Sequence, residues 1–301
     1  MSAQAHESEQ GPGELAISGN DDLISTEGRT AMGRDFTRFE IDLADDGVAT
    51  VTMTRPPVNA VDLAMYREIW SLFVDIDQIG NGVRAVVLTG AGKHFCAGND
   101  LDDFASMDSD NVRERMYHVR EAFFALQDCA VPVVGAVAGA ALGTGLCLAA
   151  ACDFVLASPD AVFGLPELSV GVHGGARHLG RLVGQPMARW MFFTGERLSA
   201  ERMYALGAII DVVPRDELLD AAREQARRIA AYSPVAVRLG KQGLNDIEFV
   251  DIRRGYELEQ GLTARMMDHP DSKVALAASR TGAQPVYDDI CSPPTASRQP
   301  R

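Results

Sequence analysis

From Cys129 to Cys152 the chain runs for 24 residues without a charge, bounded by Asp128 and Asp153. Few folds can house such a run. About 20 apolar residues span a bilayer, so a membrane helix has to be weighed first. The composition speaks against it. Gly, Ala, Val and Leu dominate, Pro132 stands near the start, and no Lys, Arg or aromatic anchors flank the run. A stretch of this kind belongs inside a protein, as buried strand and buried helix.

The neighbouring sequence supplies partners for it. Phe39, Ile41 and Leu43 alternate, Asp45-Asp46-Gly47 turns, and Ala49, Val51 and Met53 alternate with Thr50, Thr52 and Thr54, which predicts a β-hairpin with a half-buried face. Asp62 caps a helix whose apolar residues Met65, Ile69, Leu72 and Ile76 fall at three- and four-residue spacing. Arg84 to Thr89 is a strand buried on both faces, and a helix runs from about Val112 to Leu126. Within the charge-free run, Val131 to Val137 predicts a strand and Leu142 to Ala151 a small-residue helix, with a further strand over Asp153 to Ala157. Strand and helix in alternation argue a layered α/β core.

From Ser199 onward the pattern turns helical: Ser199 caps one helix, Leu218, Ala222, Ala226 and Ile229 line another, and further segments cover about Pro234–Leu244 and Asp251–Met267. This predicts a helical lobe that does not continue the sheet. The expected organisation is a disordered tail over 1–34, a core over 35–198, a helical lobe over 199–290 and a second tail over 291–301.

The net charge of −14 disfavours nucleic acid and anionic membrane as partners, although an anionic small molecule needs only local positive charge. Five cysteines in 301 residues, four of them in apolar or Gly/Ala-rich surroundings, read as small core residues in a reducing compartment. No basic, apolar leader opens the sequence, and a cytoplasmic location is expected.

Three segments do more than build core: Lys93-His-Phe-Cys-Ala-Gly-Asn-Asp-Leu101, Ala141-Leu-Gly-Thr-Gly-Leu-Cys147, and Phe163-Gly-Leu-Pro-Glu-Leu-Ser-Val-Gly171. Glycines at a helix start expose unpaired N–H groups beside about half a positive charge, a setting suited to an oxyanion. The alternative is that Gly143 and Gly145 only permit close helix–strand packing. Gly90-Ala-Gly92-Lys93 lacks the phosphate-loop spacing, no nucleophile elbow or dinucleotide fingerprint is present, and His94 with Cys96 or His173 with His178 is too sparse for a metal site.

Taken with Arg55-Pro-Pro-Val-Asn-Ala60, Ala151-Cys-Asp153 and Phe193-Thr-Gly-Glu-Arg-Leu-Ser199, these segments in this order resemble the enoyl-CoA hydratase/isomerase (crotonase) superfamily over roughly residues 36–290. The resemblance implies a crotonase-like spiral of ββα units with a C-terminal helical lobe that assembles trimers or hexamers. It implies an acyl-CoA thioester as substrate, with no cofactor beyond the coenzyme A that the substrate carries. The backbone N–H groups of Asn99 and Thr144 would hold the thioester oxygen, and Glu167 would act as acid and base. Substrate contacts are implied at Ala60, Ala97, Asp100 and Leu101, then at Leu142, Gly143 and Cys147 on the helix start. Pro166 and His173 complete the set.

The sequence departs from the family twice. Hydratases use two glutamates, and Cys147 stands where the first belongs, so chemistry with a single carboxylate is expected, as in Δ3-Δ2 isomerases and some hydratase-lyases. The stretch after the Pro-Glu motif, Gly171 to Arg177, is also short, which leaves His173 as either an auxiliary acid/base or a structural residue. The rival reading is an idle family member that binds acyl-CoA or serves as an oligomeric scaffold.

Overall fold

A computed structural model of the chain describes residues 30–31, 34–79 and 82–287. Most of the tail expected over 1–34, and all of that over 291–301, lies outside the described residues. Thr30–Ala31 (β1) and Arg34–Asp35 (β2) pair as a short antiparallel ribbon.

The expected hairpin forms from β3 (Phe39–Leu43) and β4 (Val48–Met53), in a register that sets Phe39 opposite Met53 and Leu43 opposite Ala49. The Asp46 side chain accepts from the Val48 N–H at 3.0 Å and closes the turn. Asp62 caps α1 (Leu63–Val74) by accepting from the Met65 N–H at 2.7 Å, and Met65, Ile69 and Leu72 are buried as the spacing predicts. There follow β5 (Ala85–Gly90), α2 (Leu101–Ala105) and α3 (Val112–Gln127).

The charge-free run then resolves into β6 (Val133–Val137), β7 (Ala140–Leu142) and α4 (Thr144–Ala151). All eight residues of α4 are buried, so the helix is apolar on every side because protein surrounds it. No helix among the described residues is long and apolar enough to cross a membrane.

Beyond it lie β8 (Phe154–Ala157), β9 (Val162–Gly164), a 3-10 turn over Glu167–Val170, α5 (Ala176–Leu182), α6 (Gln185–Thr194), β10 (Arg197–Ser199) and α7 (Ala200–Ala205). The chain continues through β11 (Asp211–Val212), α8 (Leu218–Ala230), α9 (Pro234–Ile247), α10 (Ile252–Met267) and α11 (Pro270–Thr281). Six strands form the main sheet in the order β11-β8-β6-β5-β4-β3, all neighbours parallel except β3 with β4. A second sheet, β10-β9-β7, stands beside it. The α/β core and the helical C-terminal region are as expected.

Two expectations need correction, and both have one cause. The segment after Ser199 does rejoin the sheet: β11 pairs in parallel with β8, and α8 lies across β4, β5, β6 and β8. Its Leu218, Ala222, Ala226 and Ala230 pack on Val48, Ala85, Val87, Val134, Ala136 and Leu156. Burying a Val or Leu side chain fully contributes about 1.5–3 kcal/mol, so covering this face outweighs leaving α8 in a detached lobe. For the same reason β4 is not half-buried. Thr50 is buried beneath α8, where its hydroxyl accepts from Arg223 Nε at 3.0 Å.

Past α8 the helices grip the body through polar contacts. The buried Lys241 of α9 donates to Val131 O at 3.1 Å and to Asp153 Oδ2 at 2.7 Å. In α10 only Gly255 is buried.

Candidate active site

The loop from Phe95 to Leu101 is stitched on both sides. Val61 N–H donates to Gly98 O and Asp100 N–H to Val61 O, both at 2.9 Å, while Cys96 N–H reaches Ala140 O at 2.9 Å and Leu142 N–H reaches Cys96 O at 3.0 Å. This pairing leaves the Asn99 N–H with no acceptor among the described residues. Arg55 clamps the loop, donating to Ala60 O at 2.9 Å and to Asp100 Oδ2 at 2.6 Å. The Asp103 N–H, and then Arg55, hold the Asp100 carboxyl below its ordinary range. Buried Asn59 supports the turn below, donating to Ala91 O at 3.0 Å and His94 O at 2.8 Å.

Helix α4 starts where β7 ends, and its two glycines have different reasons. A methyl group on Gly145 would sit 2.1 Å from Cys96 O, so this glycine exists for close packing. Gly143 has φ 52 and ψ −115, and a methyl there would sit 2.7 Å from Glu167 Oε1 and 3.8 Å from Gly98 Cα. Gly143 therefore faces the junction of all three motifs. Thr144, first residue of the helix, likewise has no acceptor for its N–H among the described residues, as the geometry of a helix start dictates.

One residue that the sequence reading missed joins the two. Tyr66, buried on α1, donates from its hydroxyl to Asn99 Oδ1 at 2.8 Å and lies 2.8 Å from Thr144 Oγ1. The available signal was a phenol on an otherwise apolar helix face, since a buried Tyr hydroxyl needs a partner.

Glu167 follows Pro166 at the start of the 3-10 turn. Burial pushes its carboxyl up to about 7, and its Oε2 is buried with no partner among the described residues. No ion pair of Glu167 is present among the described residues. Burial first, and then the Glu167 charge, push the Cys147 thiol far above its ordinary range, so it stays protonated. Its Sγ lies against Gly175, 2.9 Å from where a methyl on that glycine would sit.

The other expected contacts are spread around this centre. Ala97 donates its N–H to Val58 O at 3.0 Å, and Pro166 O accepts from Ser169 Oγ at 2.6 Å. Leu142 ends β7, its carbonyl oxygen 3.3 Å from where a methyl on Gly98 would sit. Leu101 is exposed at the start of α2, and the Asp100 carboxylate is spent on Arg55 and on capping α2. His173 is exposed, with its ring packed edge-on against Phe192 at 5.3 Å, and no hydrogen bond among the described residues joins it to Glu167. Among the described residues no three His, Cys, Asp or Glu side chains come together as a metal site.

A family model described as Enoyl-CoA hydratase/isomerase matches residues 44–289. The chain belongs to that family. Among its relatives, a "(7aS)-7a-methyl-1,5-dioxo-2,3,5,6,7,7a-hexahydro-1H-indene-carboxyl-CoA hydrolase" of Rhodococcus jostii is 39% identical over 72% of this chain and 84% of its own length. A short-chain-enoyl-CoA hydratase of Clostridium acetobutylicum is 35% identical over 77% of this chain and 90% of its own. The crystal structure of an enoyl-CoA hydratase from Bacillus anthracis superposes with a TM-score of 0.79 at 32% identity, covering 83% of this chain and 98% of that one. As a member of the enoyl-CoA hydratase/isomerase family, the protein is an enzyme of acyl-CoA chemistry. Among the described residues the three motifs meet beside the Glu167 carboxyl, with the neutral Cys147 thiol close by.

Proposed function

We propose that the protein moves a proton next to the carbonyl of an acyl-CoA thioester, with Glu167 as its one acid/base and the Asn99 and Thr144 N–H groups as the cradle for the thioester oxygen. The observation that carries this reading is the Glu167 carboxyl, pushed up to about 7 by burial and left with an unpartnered Oε2. A carboxylate in that state accepts a proton readily near neutrality and can return it. Removal of a substrate C–H proton by Glu167 leaves an electron pair that delocalises onto the thioester oxygen. Two N–H donors and the α4 dipole stabilise that charge, each donor contributing on the order of 3 kcal/mol in the transition state. Return of the proton from Glu167 to a different carbon shifts the double bond, which is isomerase chemistry. Addition or loss of water by the same group is the hydratase/lyase outcome. Cys147 offers no second carboxylate to hold that water, which favours isomerisation. Neither route calls for a cofactor beyond the coenzyme A of the substrate.

The hydrolase name borne by the Rhodococcus jostii relative favours a second reading, in which a cyclic dioxo acyl-CoA binds and Glu167 activates water for hydrolysis. One panel separates these readings: short 2-enoyl- and 3-enoyl-CoA esters and a cyclic dioxo acyl-CoA, each assayed for turnover and for binding. Fast interconversion of 3-enoyl and 2-enoyl esters supports isomerisation. Turnover of the dioxo ester alone supports hydrolysis. Binding without turnover of any member overturns both in favour of an idle acyl-CoA binder.

Assembly into trimers or hexamers belongs to the same reading. Ile252 and Tyr256 on α10 are 88% and 61% exposed, and Met267 is 50% exposed, which leaves apolar surface for a second copy to cover. Sedimentation at micromolar concentration should give a trimer or hexamer, and a monomer would refute it.

A further inference from the structure

The geometry points to Tyr66 as a positioning residue that sets the spacing of the two substrate-facing N–H groups through the side chains of Asn99 and Thr144. The inference rests on the proposed role of those N–H groups toward a thioester oxygen. A phenol hydroxyl has one proton. It is donated to Asn99 Oδ1, which can only accept, so the Thr144 hydroxyl must be the donor in its 2.8 Å contact with Tyr66. The order Thr144 to Tyr66 to Asn99 is thus fixed in direction, across a junction where Tyr66 is 1% and Thr144 4% exposed.

Packing alone asks for no hydroxyl here. The Tyr66 ring meets Phe123 edge-on at 6.1 Å, a contact phenylalanine would keep. The hydroxyl instead restrains two residues that would otherwise reorganise. Asn and Thr side chains readily turn back onto nearby backbone groups in loops and at helix starts. The hydrogen bond from Tyr66 holds Asn99 Oδ1 in place, which restrains it from turning back onto the loop N–H the substrate needs. With the Thr144 hydroxyl tied to the Tyr66 hydroxyl oxygen, the first turn of α4 is held to the 95–101 loop from behind. Burial raises the Tyr66 phenol well above its ordinary range, so it keeps the proton it donates to Asn99.

The test is Tyr66→Phe, assayed on the fastest ester of the panel and by titration with acetoacetyl-CoA, whose enolate absorbs in the near ultraviolet. The expected result is a fall of about 10- to 100-fold in kcat, with KM within about threefold, because a misplaced donor is felt in the transition state and little in ground-state binding. The fraction of bound acetoacetyl-CoA present as enolate should fall in step. Thr144→Val should match Tyr66→Phe, and the double variant should be no worse than either alone. Because Tyr66 is buried, Asn99→Ala provides a second approach that keeps the backbone N–H and leaves α1 intact; it should show the same kcat loss. Folded Tyr66→Phe and Asn99→Ala proteins with unchanged kcat and enolate fraction would overturn the inference. If the native protein forms no bound enolate and Glu167→Gln leaves turnover intact, the underlying reading has failed instead.

Discussion

The two sides of the candidate site are built on opposite principles. Asn99 Oδ1 and the Tyr66 and Thr144 hydroxyls form a hydrogen-bonded network, with Tyr66 and Thr144 buried, and Arg55 locks the loop beneath it. Facing them, Glu167 sits on a 3-10 turn whose next three residues, Leu168, Ser169 and Val170, are exposed, and its Oε2 has no partner among the described residues. Such paired hydroxyls fix positions, because breaking the network would strand buried polar groups at about 1–3 kcal/mol each. An unsaturated carboxylate keeps its capacity for a proton. The contrast teaches a division of labour: one side holds geometry, the other stays reactive.

Glu167→Gln breaks the reactive side and carries the largest expected effect. Turnover should fall by about 10²- to 10⁴-fold, the contribution of a positioned general base. In the proposed mechanism the deprotonated form is the base, so kcat/KM should climb as pH rises through about 7. Stability should move the other way. The folded carboxyl keeps its proton to about 7, whereas the unfolded chain releases it near 4.5, so raising pH through that window removes stability. Glutamine abolishes that penalty, and at pH 8 the variant should be more stable by about 1–2 kcal/mol once partial solvent access is allowed for. Denaturant titration at pH 5 and pH 8 checks this; equal gains at both would sever the link between burial and basicity.

Second in size is a pair of substitutions that separates geometry from folding. Gly143→Ala pushes a methyl onto Glu167 Oε1 and forces an alanine to φ 52, ψ −115. It should cost about 100-fold in turnover, as a misplacement near 1 Å does, with about 1–3 kcal/mol of backbone strain. Gly145→Ala meets a backbone oxygen at 2.1 Å, which cannot move aside cheaply, so its primary loss should be folded protein. Circular dichroism melts and turnover per folded molecule, measured together, distinguish them. Were Gly143→Ala fully active, Glu167 would not lie where the chemistry occurs.

How much of this was legible beforehand follows the same division. Asn99, Thr144 and Glu167 could be named as candidates because each lies inside a short motif that is read without reference to distant residues. Asp62 and Ser199 were readable as caps, since an N-cap is local: each accepts from an N–H three residues on. Tyr66 was not readable, because its meaning lies in Asn99 and Thr144, 33 and 78 residues away. The return of β11 and α8 to the sheet escaped for a related reason. A two-residue strand carries no periodicity, and the apolar stripe of α8 looks the same whether it faces another helix or a sheet. The helix α6 did carry a usable sign, Pro186 at its start, which the reading passed over.

A third, smaller effect tests whether the reactive side lacks only a second acid. Cys147→Glu should raise hydration of 2-enoyl-CoA by about tenfold, below the 10²-fold and more that a well-placed group supplies. The shortfall has a structural origin: the thiol is buried against Gly175, so the longer side chain must displace the 171–175 segment. Two carboxyls this close cannot both ionise freely, so one should stay protonated near neutrality and serve as the acid. Rates must be compared at equal folded protein, since an uncompensated buried charge costs stability. No gain in hydration from a well-folded variant would mean that another group already positions the water.

His173 is then the first suspect, and its removal is the smallest change expected. Its ring is exposed and rests edge-on against Phe192, the geometry of a packing contact worth about 0.5–1.5 kcal/mol. A catalytic partner of Glu167 would be expected to meet that carboxylate, yet Glu167 Oε2 is unpartnered. His173→Ala should therefore change turnover by less than about threefold, the scale of a lost surface contact. Its pH profile should keep the limb near 7 that belongs to Glu167. A fall of tenfold or more in kcat with that limb intact would put a second proton carrier on the reactive side, and the single-carboxylate mechanism would have to be rebuilt around the Glu167 and His173 pair.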